Sequence, residues 1–296
     1  MKNAVSNESL ATTAFRSTRA RLSAPALALV AVLASGVAAQ ANDIKECILS
    51  GEPGSIKFQP VNPGVFTLET ALPNPGWLNG DTPEAIQTGF EFCLAANIAH
   101  RAGLGEVKLV IASFPAMIAN VNQNKDMATA TISITAERLK VMQFTAPYFN
   151  SDIGILVKKG TVVDTETMKK ARVGVLQGST GANYIREQVK PAELREYPEN
   201  PAILAALMAG QIDVAVNDTA ILLGLASKSN GALEVVGQYS TGETYGAILP
   251  KGSPNKEAID QAIEDMRKDG TLDKMASTYL ADIWGADPTK VPYLKP

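Results

Sequence analysis

The chain is poor in the residues that most often carry chemistry. It has one histidine, His100, and two cysteines, Cys47 and Cys93, among 296 residues. That leaves little material for a structural zinc site or a histidine-based catalytic centre. No metal or other cofactor is expected, and no catalytic residue is assigned. Aromatic residues make up 6% and charged residues 19%, but 46% of the chain is hydrophobic, which argues against wholesale disorder. An excess of positive charge is also missing. With 27 Lys+Arg against 30 Asp+Glu and a pI near 5.4, the clustered basic face that nucleic-acid binding needs is not there. Beyond residue 41 no apolar run is long enough to span a bilayer, and there is no internal repeat or low-complexity tract.

The first 41 residues read as an address rather than as fold. Lys2, Arg16, Arg19 and Arg21 form a basic stretch, Leu22 to Val37 is uncharged and rich in Ala, Leu and Val, and Ala39-Gln40-Ala41 is a small-x-small cleavage site. This is the layout of a secretory signal peptide. The apolar stretch, about 16 residues with Pro25 inside it, falls short of the roughly 20 that a membrane span requires. Cleavage after Ala41 removes four basic residues and one acid, leaving 23 Lys+Arg and 29 Asp+Glu, net −6, over 255 residues. Export to the periplasm also changes the meaning of the two cysteines. In an oxidising compartment a disulfide between Cys47 and Cys93 is expected, tying the N-terminal segment to a helix; two buried free thiols are the alternative.

After the leader, strand and helix signals alternate. Apolar runs predict strands at 65–68, 107–111, 128–132, 153–157, 173–176, 212–216 and 233–236. Helical spacing marks 91–102, 116–121, 166–170, 184–189, 201–208, 220–227, a long helix opened by Ser253-Pro254, and a last helix over 272–280. The segment 72–81, rich in Pro, Gly and Asn, is a loop. Alternation of this kind over some 255 residues predicts two α/β lobes, each an open sheet flanked by helices.

In such folds ligands bind beyond the carboxyl ends of strands. That rule selects Glu69, Phe114, Thr131 and Ser133, then Ser179 and Thr180, then Asn217 and Asp218. Gly178-Ser179-Thr180-Gly181 precedes a helix and suits anion binding by backbone N–H groups, although Ser and Thr in that place are commonly plain N-caps. Arg138 offers a bidentate fork for a carboxylate; the plainer alternative is a surface pair with Glu137 or another acid.

At this point the residues resemble a known family. The run from Ser133-Ile134-Thr135 through Arg138 to Pro147-Tyr148-Phe149 is similar to the signature of the periplasmic amino-acid-binding proteins of ABC importers, solute-binding protein family 3. Gly89-Phe90-Glu91-Phe92 resembles the family's Gly-Phe-acid motif, and Val173 to Gly181 its opening of the second lobe. Ala205 to Val214 and Asp269-Gly270-Thr271-Leu272 fit later landmarks, so the likeness runs from about Val65 to Leu280. It implies the type II periplasmic-binding fold, with two lobes joined by crossing strands near Asn150–Asp152 and Thr241–Thr244. Lobe one would comprise 42–150 and 245–296, and lobe two 151–244.

The resemblance also implies roles. Arg138 would hold a ligand α-carboxylate, with Ser133 and Thr180 beside it. Asp218 would hold the α-ammonium, and Phe114 would pack on the ligand side chain. The implied partners are a small amino-acid ligand and an ABC permease, with no nucleic acid, no membrane insertion and a monomeric chain. One departure stands out: the family's short first loop is here Leu72 to Asp81, so Trp77 is expected either to lid the side-chain pocket or to pack lobe one, and Glu69 either to face a polar or basic ligand side chain or to cap the loop. Two other functions stay open: an enzyme on the same fold, resembling cyclohexadienyl or arogenate dehydratases, and a ligand-sensing accessory protein.

Overall fold

A computed structural model describes residues 42–120 and 122–296. The expected leader and its cleavage site lie outside the described residues. In chain order the strands and helices are β1 (Asn42–Asp43), β2 (Phe66–Thr70), α1 (Phe90–Arg101), β3 (Glu106–Ile111), α2 (Phe114–Ile118), β4 (Met127–Thr129), α3 (Ala136–Leu139), β5 (Gln143–Phe144), β6 (Phe149–Lys158), α4 (Thr165–Lys170) and β7 (Arg172–Leu176). They continue with α5 (Thr180–Tyr184), β8 (Glu193–Tyr197), α6 (Asn200–Met208), β9 (Val214–Asp218), α7 (Thr219–Ser227), β10 (Leu233–Tyr245), β11 (Ile248–Leu249), α8 (Lys256–Lys268), α9 (Thr271–Ala276) and α10 (Asp282–Trp284). Among the described residues no helix is long and apolar enough to cross a membrane.

Two sheets result, one per lobe. The first runs β1-β3-β2-β4-β11-β5, and the second β10-β6-β9-β7-β8. Each has a parallel core of three strands, β3-β2-β4 and β9-β7-β8, extended by antiparallel neighbours. In the second sheet Ile153, Ile155 and Val157 meet Val173, Val175, Val214 and Val216 in one core, while Leu156, Leu176 and Ala215 enter the core on the other face. The alternation follows from the two-residue repeat of a strand, and burial on both faces explains the near-continuous apolar runs.

β6 and β10 are much longer than their apolar runs. They pair antiparallel from Leu233↔Lys158 to Tyr245↔Phe149. The far end of β10 also touches the first sheet: Tyr245 bridges Ser133, and Gly246 N–H donates to Ile132 O at 3.0 Å. This pair of strands therefore belongs to the second sheet at one end and reaches the first at the other. Its register is interrupted. Tyr239 lies opposite Ile153 and Glu243 opposite Ser151, so Ser240, Thr241 and Gly242 together face Asp152. A bulge of this kind bends a strand and re-aims the side chains that follow. Asp152 holds it, accepting from Thr241 N at 2.9 Å, Gly242 N at 3.3 Å and the Tyr293 hydroxyl at 2.7 Å.

Several boundaries differ from expectation for local reasons. The long C-terminal helix begins at Lys256 rather than at Ser253-Pro254, because the Ser253 hydroxyl accepts from Asn255 N and closes a turn first. The helix expected over 184–189 starts earlier, as α5, and continues as a wider π turn over Ile185–Val189. Cys47 and Cys93 form a disulfide, with Cα atoms 5.3 Å apart, pinning the N-terminal segment to α1. It closes a loop of 46 residues, worth about 4 kcal/mol in the chain-entropy description.

Candidate functional site

A cavity of about 70 Å³ lies between the lobes. Its wall includes eight of the ten expected site residues: Phe114, Thr131, Ser133, Arg138, Ser179, Thr180, Asn217 and Asp218. They come from both sheets. Thr131 and Ser133 follow β4, and Phe114 opens α2; Thr180 opens α5, and Asp218 ends β9.

Arg138 owes its position to α3. Thr135 caps that helix, its hydroxyl accepting from Arg138 N at 3.2 Å. Glu137 and Lys140 pair with each other on the exposed side at 2.7 Å, which leaves Arg138 to turn inward at 8% exposure. Its guanidinium donates to Ser133 O at 2.7 Å and to Gly178 O at 3.1 Å, one carbonyl from each side of the cavity. The Phe114 ring lies beneath it at 5.8 Å. Burial lowers the Arg138 pKa from its ordinary value, and the charges of Asp218 and Glu243 oppose that shift. The guanidinium remains a cation throughout the useful pH range.

Asp218 is 3% exposed and receives a hydrogen bond from the Tyr245 hydroxyl at 2.6 Å. Burial raises its pKa to about 8, with the Glu243 charge adding to the rise; the Tyr245 hydrogen bond and the Arg138 charge pull the other way. A carboxyl in this position gains most from an added cation.

The hydroxyls have distinct duties. Ser179 is a helix cap, accepting from Ala182 N at 3.0 Å. Asn217 is held by its neighbours: its side chain accepts from Asp218 N and donates to Asn200 Oδ1, both at 2.9 Å. Thr131 has a left-handed backbone, φ 51°, uncommon for a β-branched residue. Its N–H donates to Glu91 Oε1 at 2.7 Å, and the Tyr148 hydroxyl donates to the same oxygen at 2.5 Å. Burial raises Glu91 to about 7, against the hydrogen bonds from Tyr148 and Thr131. The acid of the Gly-Phe-acid segment thus serves as a clamp behind the site. Ser133 and Thr180 both direct their hydroxyls to Glu243 Oε2, at 2.5 and 2.8 Å.

Two expected residues do not reach the cavity. Trp77 is fully buried inside lobe one, edge-on to Phe90, Phe149 and Tyr245 with centroids 5.0–5.6 Å apart. The loop is drawn inward because Phe90 N donates to Gly76 O, and Glu91 N and Phe92 N donate to Trp77 O. Gly89, at φ 123°, lets it in: a Cβ there would sit 2.5 Å from Trp77 O. Glu69 does not line the cavity and pairs with buried Lys125 at 2.7 Å, with Asn122 donating to its other oxygen at 3.1 Å. Part of the same loop, Leu72 to Asn74, does line the cavity. Pro75 lies so near α7 that a Cβ on Gly224 would come within 2.8 Å of its carbonyl oxygen.

Glu243 is the residue that strand-end reasoning missed. It sits in the polar second half of β10, within a stretch without apolar periodicity, and its aim depends on the bulge against Asp152. Glu199, at the N-terminus of α6, lines the cavity and was likewise not singled out; Glu243 touches Ser133 and Thr180 from outside that lining.

Residues 79–282 match the model of the bacterial extracellular solute-binding proteins, family 3. The chain is 32% identical over 208 residues to the L-cystine-binding protein TcyJ of Escherichia coli K12, covering 69% of this chain and 76% of that one. Among solved structures it is similar to an ancestral arginine-binding protein bound to arginine, at 30% identity and TM-score 0.65, covering 73% of this chain and 98% of the other. It is also similar to the ancestral amino acid-binding protein AncCDT-1, a precursor of cyclohexadienyl dehydratase, at 26% identity and TM-score 0.65 over 73% of this chain and 95% of the other.

Proposed function

The chain belongs to the bacterial extracellular solute-binding proteins of family 3, and from that premise we propose that it holds an α-amino acid between its lobes and presents the closed form to an ABC-type permease. What supports this reading most is the meeting of one buried guanidinium and one buried carboxyl, Arg138 and Asp218, in a single cavity from opposite lobes. A zwitterion carries its two charges at fixed spacing. Arg138 takes the carboxylate as a bidentate fork, with Ser133 and Thr180 beside it, and Asp218 takes the ammonium. Both pairs form together only when the lobes are closed, so the ligand shifts the population towards closure.

Phe114 and the apolar wall of Leu72, Leu176, Pro201 and Ile221 receive the side chain. With Arg138 and Asp218 answering the two charges of the zwitterion, Glu199 is left over on the wall, which favours a neutral or cationic side chain over an acidic one. Lobe one takes in residues 42–150 and 245–296, and lobe two 151–244. Residues 1–41 are a leader removed on export to the periplasm, and the mature chain works as a monomer. It binds without turnover: the relatives at about 30% identity carry the names of binding proteins, and AncCDT-1 is itself described as amino-acid-binding.

A thermal-shift screen of the twenty amino acids and L-cystine tests this. At a hundredfold excess over Kd the ligand should add about 2.7 kcal/mol of stability. No shift with any of them overturns the reading. Turnover of prephenate or arogenate by the pure protein would instead establish an enzyme.

A further inference from the structure

Glu243 presents one carboxylate oxygen to two hydroxyls that the cleft offers from its two sides. Oε2 accepts from Ser133 Oγ at 2.5 Å and from Thr180 Oγ1 at 2.8 Å. The two hydroxyls are themselves 3.5 Å apart, so a single oxygen sits at the mouth of the gap between them. Ser133 follows β4 of the first sheet, Thr180 opens α5 of the second lobe, and Glu243 rides on a strand that joins the two. These hydroxyls are the pair assigned above to the ligand carboxylate. A carboxylate of the protein's own therefore already engages both hydroxyls, reaching them from the second cavity beside the crossing strands rather than from the wall of the cavity between the lobes.

We propose that Glu243 is a built-in stand-in for the ligand carboxylate, clasping Ser133 and Thr180 across the cleft until an amino acid displaces it. The inference rests on the zwitterion reading of the site. Three features of the chain support it. Two carboxylates cannot share the two hydroxyls at these distances without strong repulsion, so ligand and Glu243 exclude one another. The bulge of Ser240, Thr241 and Gly242 against Asp152 aims Glu243 into the gap; Gly242 has φ 63°, a left-handed turn that glycine makes without strain. An exit is also present. Glu243 is half-buried, and it lines a second cavity on the hinge side together with Asn150, Asp152 and Thr244, into which its side chain can swing.

The clasp makes two linked demands. It stabilises a closed arrangement that holds no amino acid, and it competes with the amino acid for the same donors. Removing it should open the unliganded chain and tighten the liganded one, a combination that a residue holding the ligand directly would not give. A ligand-holding Glu243 would leave the unliganded shape unchanged and weaken binding when lost.

The test compares wild type, Glu243→Ala and Glu243→Gln by two measurements. Small-angle X-ray scattering of each protein, freed of ligand by unfolding and refolding, should show a larger radius of gyration for Glu243→Ala than for wild type. Titration calorimetry with the amino acid or L-cystine that gives the largest thermal shift should show a Kd lower by roughly tenfold for Glu243→Ala, the worth of one charge-assisted hydrogen bond. Glu243→Gln keeps the shape and one acceptor oxygen, so it should fall between. Weaker binding or an affinity within twofold of wild type, in a variant whose circular dichroism matches wild type, overturns the clasp. Wild type that binds no amino acid defeats the zwitterion reading instead, and the scattering comparison then reports on the clasp alone.

Discussion

Glu69 and Asp218 hold matching places in the two lobes. Each is a buried carboxyl near the carboxyl end of a strand in the parallel core of its sheet, Glu69 in β2 and Asp218 in β9. Their surroundings differ. Glu69 has a full complement: Lys125, wholly buried, sits 2.7 Å away, and Asn122 donates to the other oxygen. Asp218 has a tyrosine hydroxyl, a guanidinium acting at a distance, and Glu243 pushing against it. The first carboxylate is satisfied within its own lobe and fixes structure. The second is short of one cation and opens on the cleft. Position at a strand end thus nominates a residue for a site, and the local charge balance decides whether it serves there.

The largest expected effect breaks the satisfied pair. Lys125→Met strands Glu69 in the core and should cost about 3–5 kcal/mol in urea unfolding, with ligand affinity of the folded protein unchanged. A concurrent loss of affinity would return Glu69 to the site. Next is Arg138→Ala, which should remove about 2–5 kcal/mol of binding free energy in calorimetry while leaving a folded chain, because a ligand carboxylate would then be buried without its partner.

A smaller effect comes from pH. Asp218 has an ordinary pKa of 3.8 and is raised to about 8 in the fold, and Glu91 goes from 4.5 to about 7. Between those values the folded chain holds protons that the unfolded chain has released. Their contribution to stability is therefore full below about pH 4 and is lost as pH rises through 7 to 8. Asp218→Asn should flatten the fall in stability by up to about 1.4 kcal/mol per pH unit near pH 6. An unchanged slope would show that Asp218 is already ionised there. In wild type the ligand ammonium should expel the Asp218 proton, so binding near pH 7 should release protons in buffers of differing ionisation enthalpy. The smallest effect belongs to the exposed Glu137–Lys140 pair beside Arg138: Glu137→Ala should change stability by only about 0.5 kcal/mol and leave affinity as it was.

What could be read from the sequence follows the range of the forces involved. Long apolar strands such as Val173 to Leu176 and the helix around Leu94 and Ile98 announce themselves through local periodicity. The edge strand β8 reads Glu193-Leu194-Arg195-Glu196-Tyr197 and has no such run, and β5 and β11 are only two residues each. Arg138, Ser133 and Thr180 were legible through a motif. For Trp77 and Glu69 the sequence leaves pocket and lobe open as alternatives, because their partners, Phe149 and Tyr245 for one and Lys125 for the other, are supplied by tertiary contact. Glu243 was invisible for the same reason: its aim is set by a register shift against Asp152, some ninety residues earlier.

The central claim is that the two lobes divide the zwitterion, Arg138 taking the carboxylate and Asp218 the ammonium. The direct measurement is a calorimetric cycle using the best amino acid of the screen, its C-terminal amide and its N-acetyl derivative against wild type, Arg138→Ala and Asp218→Asn. The account predicts that Arg138→Ala loses discrimination against the amide alone and Asp218→Asn against the N-acetyl form alone. Equal loss against both derivatives in either variant would contradict it.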